Sequence, residues 1–214
     1  MKTDDLIEVL GTNVEPVRGS HLRMALITAL VLGGSIALCL VLAIFGVPKN
    51  EFGAELSPLK LLGLAFTCGL VLAGASYLFR AARPGESGRA PLAVIVILFL
   101  AIFLAAFVVL ALVHMPVRQE MLFGQQWVPC LICIPLFAIG PFALLIIALR
   151  KEAAPTNLTW TGAVVGLVAG ALGAAAFAFH HPGGSIPFIA LWYGGSIILC
   201  AIIGGAIGPR LLRW

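Results

Sequence analysis

Residues 91–113 read PLAVIVILFLAIFLAAFVVLALV and contain no charged or strongly polar side chain. A helix needs about 20 mostly apolar residues to cross the hydrocarbon core of a bilayer, and this stretch is long enough. Five further apolar runs of similar length flank it. They are residues 22–47, 59–79, 128–149, 158–179 and 186–207. The sequence therefore predicts an all-α membrane protein with six transmembrane helices.

Composition supports this class. Of the 214 residues, 61% are hydrophobic and 10% are charged, whereas soluble domains are about half apolar and about one quarter charged. The longest polar stretch, residues 1–21, is too short to build a core of its own. We therefore predict an N-terminal segment over residues 1–21 and a six-helix transmembrane domain over residues 22–214. Because Asp4, Asp5 and Glu8 precede the first run, that segment does not resemble a secretory signal, which begins with a basic region.

The 13 Lys and Arg residues divide unequally between the two predicted sides. On the side of the termini lie Lys2, Arg18, Arg23, Arg80, Arg83, Arg89, Arg150, Lys151, Arg210 and Arg213. On the other side lie Lys49, Lys60 and Arg118. Since short cytoplasmic connections are enriched in Lys and Arg, both termini are predicted to be cytoplasmic. The net charge of +4 is scattered over short loops and does not indicate nucleic-acid binding.

Two cysteines open the fourth predicted span, in the stretch WVPCLICIP at residues 127–135. Cys130 and Cys133 would share one face of a helix on the outer side, where an oxidising compartment could reach them. Three interpretations remain open for this pair. It is a redox pair, half of a metal site, or two small apolar residues that fill space.

Three histidines fall on the same outer side. His114 ends the third span, and His180 and His181 end the fifth. Two thiols with up to three imidazoles could hold a soft or borderline divalent metal. The alternative is that these rings favour the wet boundary of the membrane.

Other residues of the spans are expected to serve packing. Cys39, Cys68 and Cys200 have no charged neighbour and are predicted to fill space. Pro135 and Pro141 predict that the fourth span is the least regular. A stripe of small residues on the fifth span could face another helix of this chain or a second copy. The stripe consists of Gly162, Gly166, Gly170, Ala174 and Ala178.

The N-terminal segment contains a short amphipathic pattern. Thr3 can cap a helix whose first turn holds Asp4 and Asp5, both favourable near the positive helix end. Its apolar face would consist of Leu6, Ile7 and Leu10. A helix this short is marginal alone, so the segment either orders against a partner or is a disordered tail.

No Asp, Glu, Lys, Arg or His lies deep in any predicted span. Pumps and ion transporters usually need such residues near the membrane midplane. A transport function is therefore disfavoured.

Several of these stretches together resemble the NrsF-like anti-sigma factors, a bacterial inner-membrane family. The resemblance covers nearly the whole chain. It rests on the opening MKTDDLI at residues 1–7, Pro16-Val17-Arg18, Cys130, LRKEAAP at residues 149–155, Leu191-Trp192-Tyr193 and GPRLLRW at residues 208–214. The resemblance implies a multi-pass inner-membrane protein that holds an extracytoplasmic-function sigma factor through residues 3–10. It further implies release of that factor on metal or oxidative stress of the envelope.

One position departs from the family pattern. In the family a His-Cys pair ends the fifth span, and its cysteine acts with the one that opens the fourth. Here the positions read His180-His181, and the expected second cysteine is replaced by His181. Against the family pattern, either Cys133 supplies the second thiol, or Cys130 and the histidines, His181 among them, coordinate a metal, or sensing is lost or altered.

The expected function is regulatory and not enzymatic. Its partners would be the sigma factor and the lipid bilayer, without direct contact to nucleic acid, and the oligomeric state stays open. No resident cofactor is expected beyond a transient divalent metal. The alternative is a membrane thiol-disulfide oxidoreductase that uses the outer C-x-x-C.

Overall fold

The computed structural model of this chain describes residues 19–46, 57–81, 88–124, 127–152, 157–180 and 184–213. These residues form helices and turns, and no strand occurs among them. The helices are numbered along the chain. They are α1 (Gly19–Phe45), α2 (Pro58–Ala81), α3 (Arg89–Leu112), α4 (Met115–Phe123), α5 (Trp127–Glu152), α6 (Leu158–His180) and α7 (Ile186–Leu211).

Six of these helices, all except α4, match the six predicted spans. They are long and apolar enough to cross a membrane, and their ends differ from the predicted ends by a few residues. The reason is physical: in lipid the backbone must satisfy its own hydrogen bonds, so an apolar run of this length becomes a helix. The prediction of an all-α membrane fold with six spans is confirmed.

The helices pack as a bundle around α6. Helix α6 contacts α1, α2, α5 and α7, whereas α3 lies at the rim against α2 and the first turns of α7. Most of α6 is buried, while most of α3 is exposed and apolar. An exposed apolar surface of this kind suits contact with lipid.

The two ends of the bundle differ in charge. We call one end, where α1, α3 and α6 begin, the basic end. Its described cationic residues are Arg23, Arg80, Arg89, Arg150, Lys151, Arg210 and Arg213. We call the other the cysteine end, because Cys130 lies there in the first turn of α5. This end also holds α4.

The small-residue stripe of α6 packs against α7 within the chain. A Cβ atom added to Gly162 would lie 2.5 Å from the Gly204 carbonyl oxygen and 2.8 Å from the Gly208 Cα. One added to Gly170 would lie 2.9 Å from the Cys200 Cβ. Such close backbone approach is what small residues permit between membrane helices. Of the two alternatives, packing within one chain is therefore the one observed.

The prediction that the fourth span is the least regular is wrong. Helix α5 continues as an α-helix through Pro135 and Pro141. Pro141 packs closely against Gly33 of α1, because a Cβ atom added to Gly33 would lie only 2.8 Å from the Pro141 Cα. The departure from α-helical geometry lies in α7, where Ile189–Tyr193 form a π-helical turn. Turns of this type often occur at functional sites.

Candidate functional site at the cysteine end

The cysteine pair lies in the first turns of α5, but the two thiols differ in access. Cys130 is fully buried, with 0% of its surface exposed, and Cys133 is half-buried. All five cysteines are free thiols in this structure. A reagent arriving from outside would therefore meet Cys133 first.

Cys130 faces α7, where its neighbours include the end of the π turn. The Ser196 Oγ donates a 3.5 Å hydrogen bond to the Cys130 carbonyl oxygen. The side chains of Cys130 and Tyr193 belong to one buried cluster. The start of α5 is thus positioned by α7, a contact that the sequence did not indicate.

Helix α6 approaches α5 closely one turn further along. A Cβ atom on Gly173 would lie 2.8 Å from the Ile134 carbonyl oxygen and 3.2 Å from the Ala138 backbone nitrogen. The cysteine-bearing helix packs along α1, and its first turns contact α6 and α7. A change in the position of Cys130 would be transmitted to both helices.

An aromatic cluster connects this site to His180. Tyr193 lies 6.2 Å from Phe177, Phe177 lies 6.0 Å from Phe45, and Phe45 lies 6.4 Å from Phe137 of α5, all between ring centroids. The His180 ring stacks on Phe45 at 5.1 Å. Aromatic pairs at such distances add about 0.5–1.5 kcal/mol each beyond their burial. The ends of α1, α5, α6 and α7 are therefore joined here.

His180 has an incompletely satisfied side chain. Its Nδ1 atom is buried and has no hydrogen-bond partner among the described residues. Leaving a buried polar atom unpaired costs about 1–3 kcal/mol, so a ligand or a small displacement that supplied a hydrogen-bond partner would be favourable. This is consistent with a sensing role for His180, which stays a prediction.

The other predicted histidines are placed differently. His114 is exposed and stands as the N-cap residue of α4, without a side-chain capping bond. His181 lies outside the described residues, and so does the predicted metal pair of Cys130 with His181. Within the described ranges, no group of three or more His, Cys, Asp or Glu residues could hold a metal ion.

Helix α4 is attached to the start of α7 by two hydrogen bonds that the sequence did not reveal. The Ser185 Oγ donates to the Met121 carbonyl oxygen at 2.7 Å, and the Trp192 Nε1 donates to the Leu122 carbonyl oxygen at 2.6 Å. These carbonyls belong to the last turn of α4, where the helix itself supplies no amide donors for them. The Ser185 Oγ also accepts from the Phe188 amide at 3.2 Å. A local signal was available, because Ser before Ile186-Pro187 is a pattern typical of a helix start.

Tryptophan contacts complete this attachment. Trp192 lies 5.2 Å from Trp127 and 6.3 Å from Phe123, measured between ring centroids. Trp127 is the first residue of α5, one turn before Cys130. The π turn of α7 therefore contacts both the end of α4 and the beginning of the cysteine-bearing helix.

We expect the double replacement Ser185→Ala and Trp192→Phe to detach α4. It removes both donors to α4, and each neutral hydrogen bond contributes about 0.5–1.5 kcal/mol. Amide hydrogen exchange across residues 115–123 should accelerate by about tenfold or more. The matched control is Ser35→Ala with Trp160→Phe. Ser35 bonds only to its own helix, and the Trp160 side chain is mostly exposed. Equal exchange in the two variants would contradict the attachment.

The remaining cysteines require one correction. Cys200 is buried against Gly166 and Gly170, which confirms its predicted packing role. Cys39 and Cys68 are exposed on the outer surface of the bundle, so the prediction that they pack internally is wrong. In a membrane helix an apolar position can face lipid as readily as protein, and composition does not distinguish these environments.

The predicted partner-binding segment, with Thr3, Asp4, Asp5, Leu6, Ile7 and Leu10, lies outside the described residues. Its amphipathic pattern therefore stays a prediction. The described chain begins with α1, and residues 11–18 separate this segment from it in the sequence.

Comparison with known proteins gives matches over the full length. The chain is 32% identical over 226 residues to the "Anti-sigma-F factor NrsF" of Caulobacter vibrioides, with 100% of both chains covered. It is 29% identical over 215 residues to the "Probable anti-sigma-F factor NrsF" of Azospira oryzae, again with 100% of both covered. No solved structure matches. The NrsF family, described as "Negative regulator of sigma F", matches residues 10–214. The chain therefore belongs to the NrsF family.

Proposed function

We propose that the protein is an anti-sigma factor that holds a sigma factor at the bacterial inner membrane. The observation that carries this proposal is the similarity over the whole chain to relatives named as anti-sigma-F factors, together with the family match over residues 10–214. The protein would act as a regulator and not as an enzyme. Its partner would be a sigma factor of the extracytoplasmic-function class, and the protein would not contact DNA itself.

The charge distribution supports an orientation with both termini in the cytoplasm. Among the described residues, the basic end carries most of the Arg and Lys side chains, whereas the cysteine end has Lys60 and Arg118. The Arg118 Nε donates to the Val113 carbonyl oxygen at 2.6 Å, so this side chain caps the C-terminal end of α3. A basic end facing the cytoplasm follows the usual charge asymmetry, and in that orientation the N-terminal segment would lie on the side where a sigma factor acts.

The cysteine end would then face the periplasm and act as the sensor. Its candidate residues are Cys130, Cys133, His114, His180 and His181. A metal or an oxidant that acts on Cys130 would change how the start of α5 packs against Tyr193 and Ser196. Tightly packed helices tend to shift between discrete arrangements. Helix α1 would carry the change to the basic end, because its last residue, Phe45, contacts Phe137, Phe177 and His180.

Deletion of residues 2–11 tests the proposed binding segment. We expect the sigma factor to move from the membrane fraction to the soluble fraction and its regulon to be expressed without stress. A sharper pair of variants uses the predicted amphipathic pattern. Leu6→Asp with Ile7→Asp should release the sigma factor, whereas the control Thr12→Asp with Asn13→Asp, just beyond the segment, should retain it. Continued sedimentation of the sigma factor with membranes that contain the deletion variant would show that the anchor lies elsewhere.

The oxidoreductase alternative is less well supported by the geometry. Thiol-disulfide exchange requires an accessible thiolate that can attack a disulfide of the substrate. Cys130 is fully buried, and the pair has no second thiol pair beside it in the described part of the cysteine end. A buried thiol coupled to helix packing suits a sensor better than it suits an exchange enzyme.

A further inference from the structure

A groove separates α2 from α3 at the basic end of the bundle. It encloses a volume of about 440 Å³, within the range of roughly 300–1,000 Å³ that ligand pockets occupy. It opens on the outer surface of the bundle. The lining residues are Gly69, Leu72, Ala73, Ser76, Arg80, Ala90, Pro91, Val94 and Leu98.

The groove exists because α2 turns small side chains toward α3. Ala73 and Ser76 border the gap on this side, and Leu98 of α3 closes it at Gly69, where an added Cβ atom would lie 3.2 Å from the Leu98 Cδ1. Another face of α2 packs through Gly74 against Val168 of α6. The Ser76 Oγ donates to the Leu72 carbonyl oxygen of its own helix at 2.7 Å. The walls therefore present an almost purely apolar surface, and water would find few partners in it.

The one charged residue of the lining stands at the mouth of the groove. Arg80 is exposed in the last turn of α2, and no ion pair joins it to another described residue. Arg89, also exposed, begins α3 directly before the lining residue Ala90. The groove thus combines an apolar body with a cationic mouth.

The length of the groove matches one leaflet of a bilayer. From Arg80 to Gly69, α2 rises by roughly 16 Å, which is about half of the ~30 Å hydrocarbon core. An acyl chain of one leaflet covers this same distance, from the headgroup level to the bilayer midplane. A transmembrane helix of another protein would need a contact surface that crosses both leaflets.

We propose that this groove binds an anionic phospholipid, with one acyl chain between α2 and α3 and the phosphodiester at Arg80. Basic pockets between transmembrane helices bind anionic headgroups in this manner, because Arg attracts the phosphate and the additional negative charge of such lipids. A zwitterionic lipid has the same acyl chains, but its headgroup carries no net charge and is attracted to Arg80 less strongly. The preference for the anionic headgroup should therefore depend on Arg80, and occupancy by any lipid should depend on the open volume.

Native mass spectrometry of the full-length protein with equal amounts of phosphatidylglycerol and phosphatidylethanolamine tests the proposal. The wild-type protein should retain phosphatidylglycerol preferentially. Arg80→Gln should reduce this preference by about fivefold, because one cation near a headgroup contributes about 1 kcal/mol. Ser76→Leu should reduce retention of both lipids, because the larger side chain fills the groove.

Two matched controls separate these effects from general changes. Arg150→Gln removes an exposed cation of the same end that does not line the groove. Ser35→Leu changes an exposed serine of α1 that also bonds only to its own helix, through the Val31 carbonyl oxygen at 2.9 Å. Both controls should retain lipid like the wild type, and a thermal unfolding midpoint within the control range would show that Ser76→Leu is folded.

Three results would overturn the proposal. The first is equal retention of both lipids by the wild type, and the second is an unchanged preference in Arg80→Gln. The third is a shift between monomer and dimer in Ser76→Leu with unchanged lipid retention, which would assign the groove to a second copy of the chain.

Discussion

Replacing Gly166 with alanine is expected to destabilise the bundle and lower its thermal unfolding midpoint. The added Cβ atom would overlap the Cys200 carbonyl group and lie 3.1 Å from the Gly204 Cα. These are backbone atoms of α7, so no side-chain rotation can relieve the overlap, and the two helices must separate. Overpacking of this kind costs about 1–3 kcal/mol. Since α6 is the central helix, the displacement would also disturb its contacts with α1, α2 and α5.

A matched glycine on the partner helix provides the control. A Cβ atom added to Gly195 of α7 meets no atom within 4 Å, so Gly195→Ala should leave the unfolding midpoint unchanged or slightly raised, as expected from the better helix propensity of alanine. Both variants can be compared by tryptophan fluorescence during heating in the same detergent. Equal midpoints for Gly166→Ala and Gly195→Ala would mean that the helices cross at a greater distance.

The membrane fold was predictable because each span carries its own signal. A run such as residues 91–113 can only satisfy its backbone in lipid as a helix, and this holds without knowledge of its neighbours. The stripe from Gly162 to Ala178 likewise predicted a close helix contact. It did not identify the partner, because small residues permit approach by any helix, and only the three-dimensional packing selected α7.

The sequence did not predict α4 or the π turn, since both depend on distant contacts. Residues 114–127 are polar enough to read as a loop, and a helix of nine residues is marginal alone. It is stabilised by Ser185 and Trp192, which lie 64 and 70 residues from their acceptors along the chain. Local propensity contains no information about bonds of this range.

The candidate site was predictable in its location but not in its connections. The spacing of Cys130 and Cys133 put both near the start of one helix, and topology put His180 at the same end. The spacing could not show that Cys130 is buried while Cys133 is partly exposed, because the rotation of α5 is set by α6 and α7. The structure adds that α5 contacts the π turn of α7 as well as α6.

The cysteines are expected to respond differently to an oxidant and to a metal. Diamide can take two electrons and two protons from Cys130 and Cys133, which leaves a disulfide and a hydrazine. Residues three apart on a helix have Cβ atoms about 5–6 Å apart, whereas a disulfide needs about 3.5–4.5 Å. Closing the bond must therefore distort the first turns of α5 and draw Cys130 away from Tyr193 and Ser196.

A reporter driven by the sigma factor separates the two signals. Cys133→Ser should abolish the response to diamide and preserve a response to a divalent metal bound through Cys130 and His181. Cys130→Ser should abolish both. The matched controls are Cys39→Ser and Cys68→Ser, which change exposed thiols on the bundle surface and should respond like the wild type.

The outcome for Cys133→Ser decides which chemistry transmits the signal. A full diamide response in this variant would exclude the disulfide between the pair, because no second thiol would remain beside Cys130. Full responses to both agents in Cys130→Ser and in Cys133→Ser would remove the pair from the sensor, and the buried thiol would then be a packing residue like Cys200. If the metal response also fails in His181→Ala, the metal ligands would be Cys130, in the first turn of α5, and His181, the residue that follows α6 in the sequence. A signal that starts from metal binding at these residues would reach the basic end through changes in helix packing and not through thiol exchange with a substrate.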